Sequence, residues 1–150
     1  MERQYVTKNN RERERLTKLV NEITDNELKL VIYKEGWTIA AMLVHMAFWD
    51  NYATALLKRW KKDRVSPSLH EWNEINDALL PLALNIPPRT AAKLAVFSAH
   101  AADSEAEQST PEFIRSVEAL KEPLRLNRSL HRKAHLDEID AFLKARRDKK

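Results

Sequence analysis

An all-α four-helix bundle with two short connecting helices is the fold this sequence predicts, and three observations predict it. The 150 residues include one glycine and no cysteine. Hairpins and tight β-turns draw on glycine for positive φ, so its near absence favours helices joined by longer connections. Apolar residues recur three and four apart over long segments, the period of an amphipathic helix, and no stretch carries a strand signal.

The elements follow in order. Residues 6–24 read as the first long helix, with Leu16, Leu19, Val20 and Ile23 at helical spacing. A break begins at Asp25, and residues 26–31 read as an extra turn. Gly36 and Trp37 precede the second long helix. Thr38 is its N-cap, because its hydroxyl can accept a bond from an orphan backbone N–H. This helix runs to about Lys62 and ends in basic residues that complement its dipole.

Ser66-Pro67-Ser68 opens a connection, inside which residues 69–80 carry Trp72, Ile75 and Leu79 at helical spacing. Pro87-Pro88 introduces the third long helix, 89–108, whose alanines allow close packing. Thr110-Pro111-Glu112 is a cap followed by proline at the first helical position, which opens a short helix to Lys121. Pro123 separates it from the last helix, 127–146, and the stretch 144–150 forms a basic tail. In a simple up-down-up-down bundle the second and fourth long helices run parallel. No repeat, low-complexity stretch or linker divides the chain, so residues 1–150 read as one domain.

Composition narrows the function classes. With 32% charged and 43% hydrophobic residues the chain resembles an ordinary soluble domain. Without cysteine it has no disulfide framework, no thiolate metal ligand and no cysteine nucleophile. The N-terminus, MERQYVTKNNRERER, lacks the apolar core of a signal peptide, and no apolar run approaches the ~20 residues of a membrane span. A cytoplasmic protein with no membrane partner is expected. Much of the net charge of +4 comes from Lys144, Arg146, Arg147, Lys149 and Lys150. Elsewhere the signs alternate, as in Arg11-Glu12-Arg13-Glu14-Arg15, which suits a solvated helix. No aromatic residues interleave with the basic tail, so nucleic acid is not an expected partner.

The most informative chemistry lies in the histidines. His131 and His135 are four apart and share one helix face, which continues through Ile139 and Phe142 toward the core. His45 is the one ionisable side chain in the apolar run 39–49. It lies seven residues beyond Thr38, and the pair lies four and eight beyond Asn127. With ~1.5 Å rise per residue and parallel helices, all three sit about 10 Å above their helix starts. Three imidazoles with a fourth position open make a catalytic-type site for zinc or a similar divalent ion. A histidine on an apolar face is also commonly a core residue bonded to a carbonyl, and spacing alone does not choose. His70, at the start of a connecting helix, and His100, on a helix face near Asp103, lack comparable support.

Three stretches carry a resemblance. Gly36-Trp37-Thr38 with His45-Met46-Ala47-Phe48-Trp49-Asp50, then Asn76-Asp77-Ala78-Leu79-Leu80 with Pro87-Pro88, then Arg128-Ser129-Leu130-His131-Arg132-Lys133-Ala134-His135-Leu136 resemble the motifs of the DinB-like superfamily. These are the damage-inducible and maleylpyruvate-isomerase-like four-helix bundles of bacteria. The resemblance implies a divalent metal, zinc or nickel, held by His45, His131 and His135. It also implies a homodimer, and a thiol-dependent S-transferase, isomerase or hydrolase activity on a small molecule. The thiol would be a low-molecular-weight one arriving from outside.

Around that triad, Arg128 is three residues before His131 and could bind a substrate carboxylate at the site mouth, or else be a surface arginine. Glu138 could orient the His135 imidazole or be a solvated flank. Trp49 and Trp72 could line a pocket or belong to the core or a dimer interface. A non-catalytic metal-binding stress protein with the same fold is the competing reading.

Overall fold

The computed structural model describes residues 3–68 and 71–149. Four long helices, α1 (Gln4–Glu22), α3 (Ile39–Lys62), α5 (Pro88–Glu107) and α7 (Ser129–Asp148), form the bundle. The connections carry α2 (Asp25–Leu28), α4 (Trp72–Leu84), α6 (Pro111–Glu118) and a 3-10 turn at Pro123–Arg125. Among the described residues the β pairing is limited to one isolated bridge, Val31 to Thr38. Among the described residues no helix is long and apolar enough to cross a membrane.

The boundaries follow local chemistry. Thr38 Oγ1 accepts the Ala41 N–H at 3.0 Å and starts α3, and Thr110 caps α6 through Phe113. The expected break at Asp25 is instead the first residue of α2: Thr24 and Glu27 exchange bonds as a capping box. The segment expected over 69–80 is the helix Trp72–Leu84, shifted toward the C-terminus; Leu69 and His70 lie outside the described residues. The basic stretch 144–150 is largely the last turns of α7, where Arg147 pairs with Glu27 at 2.9 Å.

The helix directions differ from the up-down-up-down expectation. On α3, His45 meets His131 and His135, while Asp50, further along, meets Arg128 and Arg132. The partners step backward on α7, so α3 and α7 are antiparallel. Asn9 bonds Ser129 and Arg15 bonds Asp137 and Asp140, so α1 and α7 are parallel. Arg13 meets Asp103 while Arg89 meets the Val20 and Ile23 carbonyls, so α1 and α5 are antiparallel. The order is up, down, down, up. The cause is α4: its 13 residues span about 20 Å, enough to return the chain to the end where α3 began.

Two apolar clusters fill the bundle. One gathers Leu16, Leu43, Met46, Ala95, Leu136 and Ile139 with their neighbours; the other gathers Leu57, Trp60, Ala106, Ile114, Val117 and Leu126. Small alanines along α5 let α3 approach closely, as their abundance suggests.

Candidate metal centre

The site forms where α3 and the start of α7 pass each other. Gly36, at φ +103°, closes a turn with its N–H on the Tyr33 carbonyl at 3.0 Å. That turn delivers Thr38 to its cap and sets the phase of α3, which aims His45 inward. The start of α7 is held by Asn9, whose side chain donates to the Leu126 carbonyl and accepts the Ser129 N–H, each at 2.9 Å. Ser129 Oγ also donates to Asn127 Oδ1.

The three imidazoles converge. His131 Nε2 lies 3.1 Å from His45 Nε2 and 3.2 Å from His135 Nε2. One ligand atom from each ring lies within 4.8 Å of the others. A tetrahedral zinc with Zn–N of about 2.0–2.1 Å separates its nitrogens by about 3.3–3.4 Å, so the spacing fits one small ion. Nδ1 of His45 and of His135 are buried without a hydrogen-bond partner, an arrangement that costs about 1–3 kcal/mol per group and does not serve stability.

Electrostatics keep these rings neutral. Burial lowers His45 to about 4, with the His135 charge adding to it and Asn76 opposing. Burial alone lowers His135 to about 4. His131 is pushed down by burial, then by the Arg128 guanidinium and the two other imidazoles. At neutral pH all three rings are therefore neutral, each with one nitrogen lone pair, the protonation state that a metal ligand requires.

A pocket of about 300 Å³ opens over the triad, lined also by Trp49, Trp72, Asn76, Leu124, Arg125 and Arg128. Trp49 is buried and donates its indole N–H to Asn76 Oδ1 at 3.0 Å; Trp72 is 42% exposed and packs on it with ring centroids 4.6 Å apart. Both tryptophans therefore face the pocket. Arg128 is not a surface arginine: it is 3% exposed, with Nε on Asp50 Oδ1 at 2.7 Å and Nη1 on the Leu124 carbonyl at 2.8 Å. Its Nη2 lies 3.5 Å from His131 Nδ1. Burial lowers its pKa, and Asp50 opposes that. Glu138 does not orient an imidazole. It is exposed, whereas Nδ1 of His135 is buried and unpartnered, so its carboxylate would have to leave water to reach that atom. His100 is exposed on α5.

Asn76, Arg125, Asp50, Arg132 and Asp103 are the site's neighbours that sequence reasoning assigned no role. Asp50 and Arg132 stand inside the quoted motifs, and their adjacency to His45 and His131 was the signal available.

Fold and site together define a helical bundle with an inward-facing histidine triad. The chain belongs to the mycothiol maleylpyruvate isomerase N-terminal domain family, a DinB-like family whose model matches residues 10–146. No curated protein and no solved structure matches it.

Proposed function

We propose that the chain is a divalent-metal-dependent enzyme in which His45, His131 and His135 hold zinc or nickel and a low-molecular-weight thiol serves as co-substrate. The observation that carries this reading is the meeting of three neutral imidazoles at 3.1 and 3.2 Å beneath a pocket. Bound there, the ion would act as a Lewis acid and lower the pKa of a thiol or water ligand. The chain has no cysteine, so the nucleophile comes from outside, in keeping with the thiol in the family's name.

The protein's own groups supply the rest. The pocket lining carries the guanidiniums of Arg125 and Arg128 and, among the described residues, no carboxylate. Arg128 is paired with Asp50 and Arg125 with Glu122, so a small substrate bearing a carboxylate would share these cations with the protein's own acids. The Trp49–Trp72 wall offers a flat apolar face and excludes water from one side. The activity class is an S-transfer, an isomerisation or a hydrolysis. A cytoplasmic location belongs to this reading, because thiols stay reduced there.

Metal analysis of untagged protein, followed by incubation with a panel of small thiols and carboxylated electrophiles, tests it. One ion per chain with thiol-dependent turnover supports the enzyme; one ion without turnover favours the metal-binding stress protein; no ion overturns both. A second copy is the proposed macromolecular partner, through Leu94 and Phe97, exposed on one face of α5 at 37% and 72%. Sedimentation of wild type and Phe97→Asp checks this, with a dimer expected only for the former.

A further inference from the structure

A layer of charge separates the two apolar clusters. Along α3, cluster residues run to Met46 and resume at Leu57, with Asp50 between; along α5, they run to Ala99 and resume at Ala106, with Asp103 between. At the centre is Arg132, fully buried, whose guanidinium meets Asp103 at 2.8 and 2.9 Å and Asp50 Oδ2 at 3.3 Å. The other Asp50 oxygen takes Arg128 Nε at 2.7 Å, and Arg13 reaches Asp103 at 2.7 Å. One chain of ion pairs, Arg128–Asp50–Arg132–Asp103–Arg13, thus joins α7, α3, α5 and α1 at one level.

Such a layer is a poor device for stability, because desolvating each ion costs several kcal/mol and apolar replacements often do as well. What it supplies is register. Apolar side chains accept a slide of one helical turn, about 5.4 Å; a carboxylate that must meet two guanidiniums does not. The same slide would carry His45 out of reach of His131 and His135. Arg128 and Arg132 flank His131 in the chain, so the group that holds both also holds His131.

We infer that Asp50 is a positioning residue: by bridging Arg128 and Arg132 it fixes the register of α3 against antiparallel α7 at which the three histidines meet. The inference rests on the metal reading for its purpose, not for its geometry.

The test uses the double variant Asp50→Asn/Arg132→Gln, which removes one charge of each sign and leaves the net charge of the layer unchanged. Two readouts apply. The first is NOEs between the His45 ring protons and those of His131 and His135, whose ring centroids lie 5.1 and 4.9 Å away. The second is Co(II) titration followed by absorption. Retained helicity, lost ring NOEs and Co(II) affinity weakened by about ten-fold or more are expected. A folded variant with wild-type NOEs and affinity overturns the inference. If the variant does not fold, Asp50→Glu decides: it keeps every charge but lengthens the bridge by one methylene. It is expected to weaken the same NOEs, and unchanged NOEs overturn the inference. Wild-type protein that shows the NOEs but takes up no Co(II) overturns the metal reading alone; the variant's NOEs then still decide the role of Asp50.

Discussion

Nε2 of His45 and Nε2 of His131 lie 3.1 Å apart, although the residues are 86 positions apart in sequence and their helices run in opposite directions. The pair on α7 can offer two nitrogens from one helix face; among the described residues His45 supplies the third from across the bundle. Changing His45 to alanine is therefore expected to weaken zinc by more than the about 10–100-fold that outer partners of metal ligands command. Far-UV circular dichroism should be unchanged. Calorimetric titration of both proteins checks it, and equal affinity would remove His45 from the ligand set.

The buried imidazoles set a pH dependence with a definite sign. In the unfolded chain a histidine takes its proton near pH 6.5, whereas His45 and His135 hold out to about 4 when folded. Between those values the unfolded state binds more protons, so metal-free stability falls as pH drops from about 6.5 to about 4 and is flat above 7. The loss by pH 4 is of the order of a few kcal/mol. Glu27, lowered to about 2 first by its bond from Arg147, contributes stability above the ordinary carboxylate range and loses it only as pH falls toward 2. Urea midpoints at pH 7.5, 6.5 and 5.0 therefore read the histidines first. A variant with His45 and His135 both changed to glutamine should flatten that slope; an unaltered slope would assign it elsewhere.

The charged layer predicts unequal costs for its two sides. Burial lowers the Arg132 pKa, but Asp50 and Asp103 outweigh it and the net direction is up. Replacing Asp103 by leucine leaves Arg132 and Arg128 sharing Asp50, an uncompensated buried charge expected to cost about 3–5 kcal/mol. Replacing Arg132 by methionine leaves each aspartate with one arginine, Asp50 with Arg128 and Asp103 with Arg13, and should cost distinctly less. Urea unfolding of the two variants separates them. Equal costs would mean that the layer is not governed by charge balance.

Much of this was legible in the sequence, and the part that was not has a physical cause. Thr38 and Thr110 announced their helices because capping is local, a hydroxyl three residues from the N–H it accepts. The spacing points to the triad through parallel helices at equal height, and the family resemblance implies the same three residues independently. The helices are antiparallel, and the rings meet because His45 is one-quarter of the way along α3 while α7 begins near the level of Asp50. Direction depends on how far α4 carries the chain back, which no local pattern encodes. Glu138 is exposed: a three-residue spacing fixes a helix face only coarsely, whereas orienting His135 needs a particular buried nitrogen. Arg132 and Asp103 take no role from the sequence, because charges are frequent in this chain; their burial follows from four helices meeting at one level.

Trp49 and Trp72 touch each other and line the same pocket, yet they are set differently in the fold. Trp49 is 3% exposed and anchored through Asn76, so its truncation to alanine removes core volume and is expected to cost about 3–5 kcal/mol. Trp72 is 42% exposed, at the first turn of α4, with Arg125 over its ring at 5.6 Å. Its truncation exposes little core and instead removes the outer wall of the pocket. Aromatic contacts of this kind contribute about 0.5–1.5 kcal/mol beyond burial. Trp72→Ala should therefore raise KM for a planar carboxylated substrate about two- to ten-fold while moving the urea midpoint little. Trp72→Phe should recover most of the binding, because a ring still covers the wall. Parallel losses of stability in Trp49→Ala and Trp72→Ala, with binding unchanged in the latter, would return both tryptophans to the core and leave the substrate wall to Arg125 and Leu124.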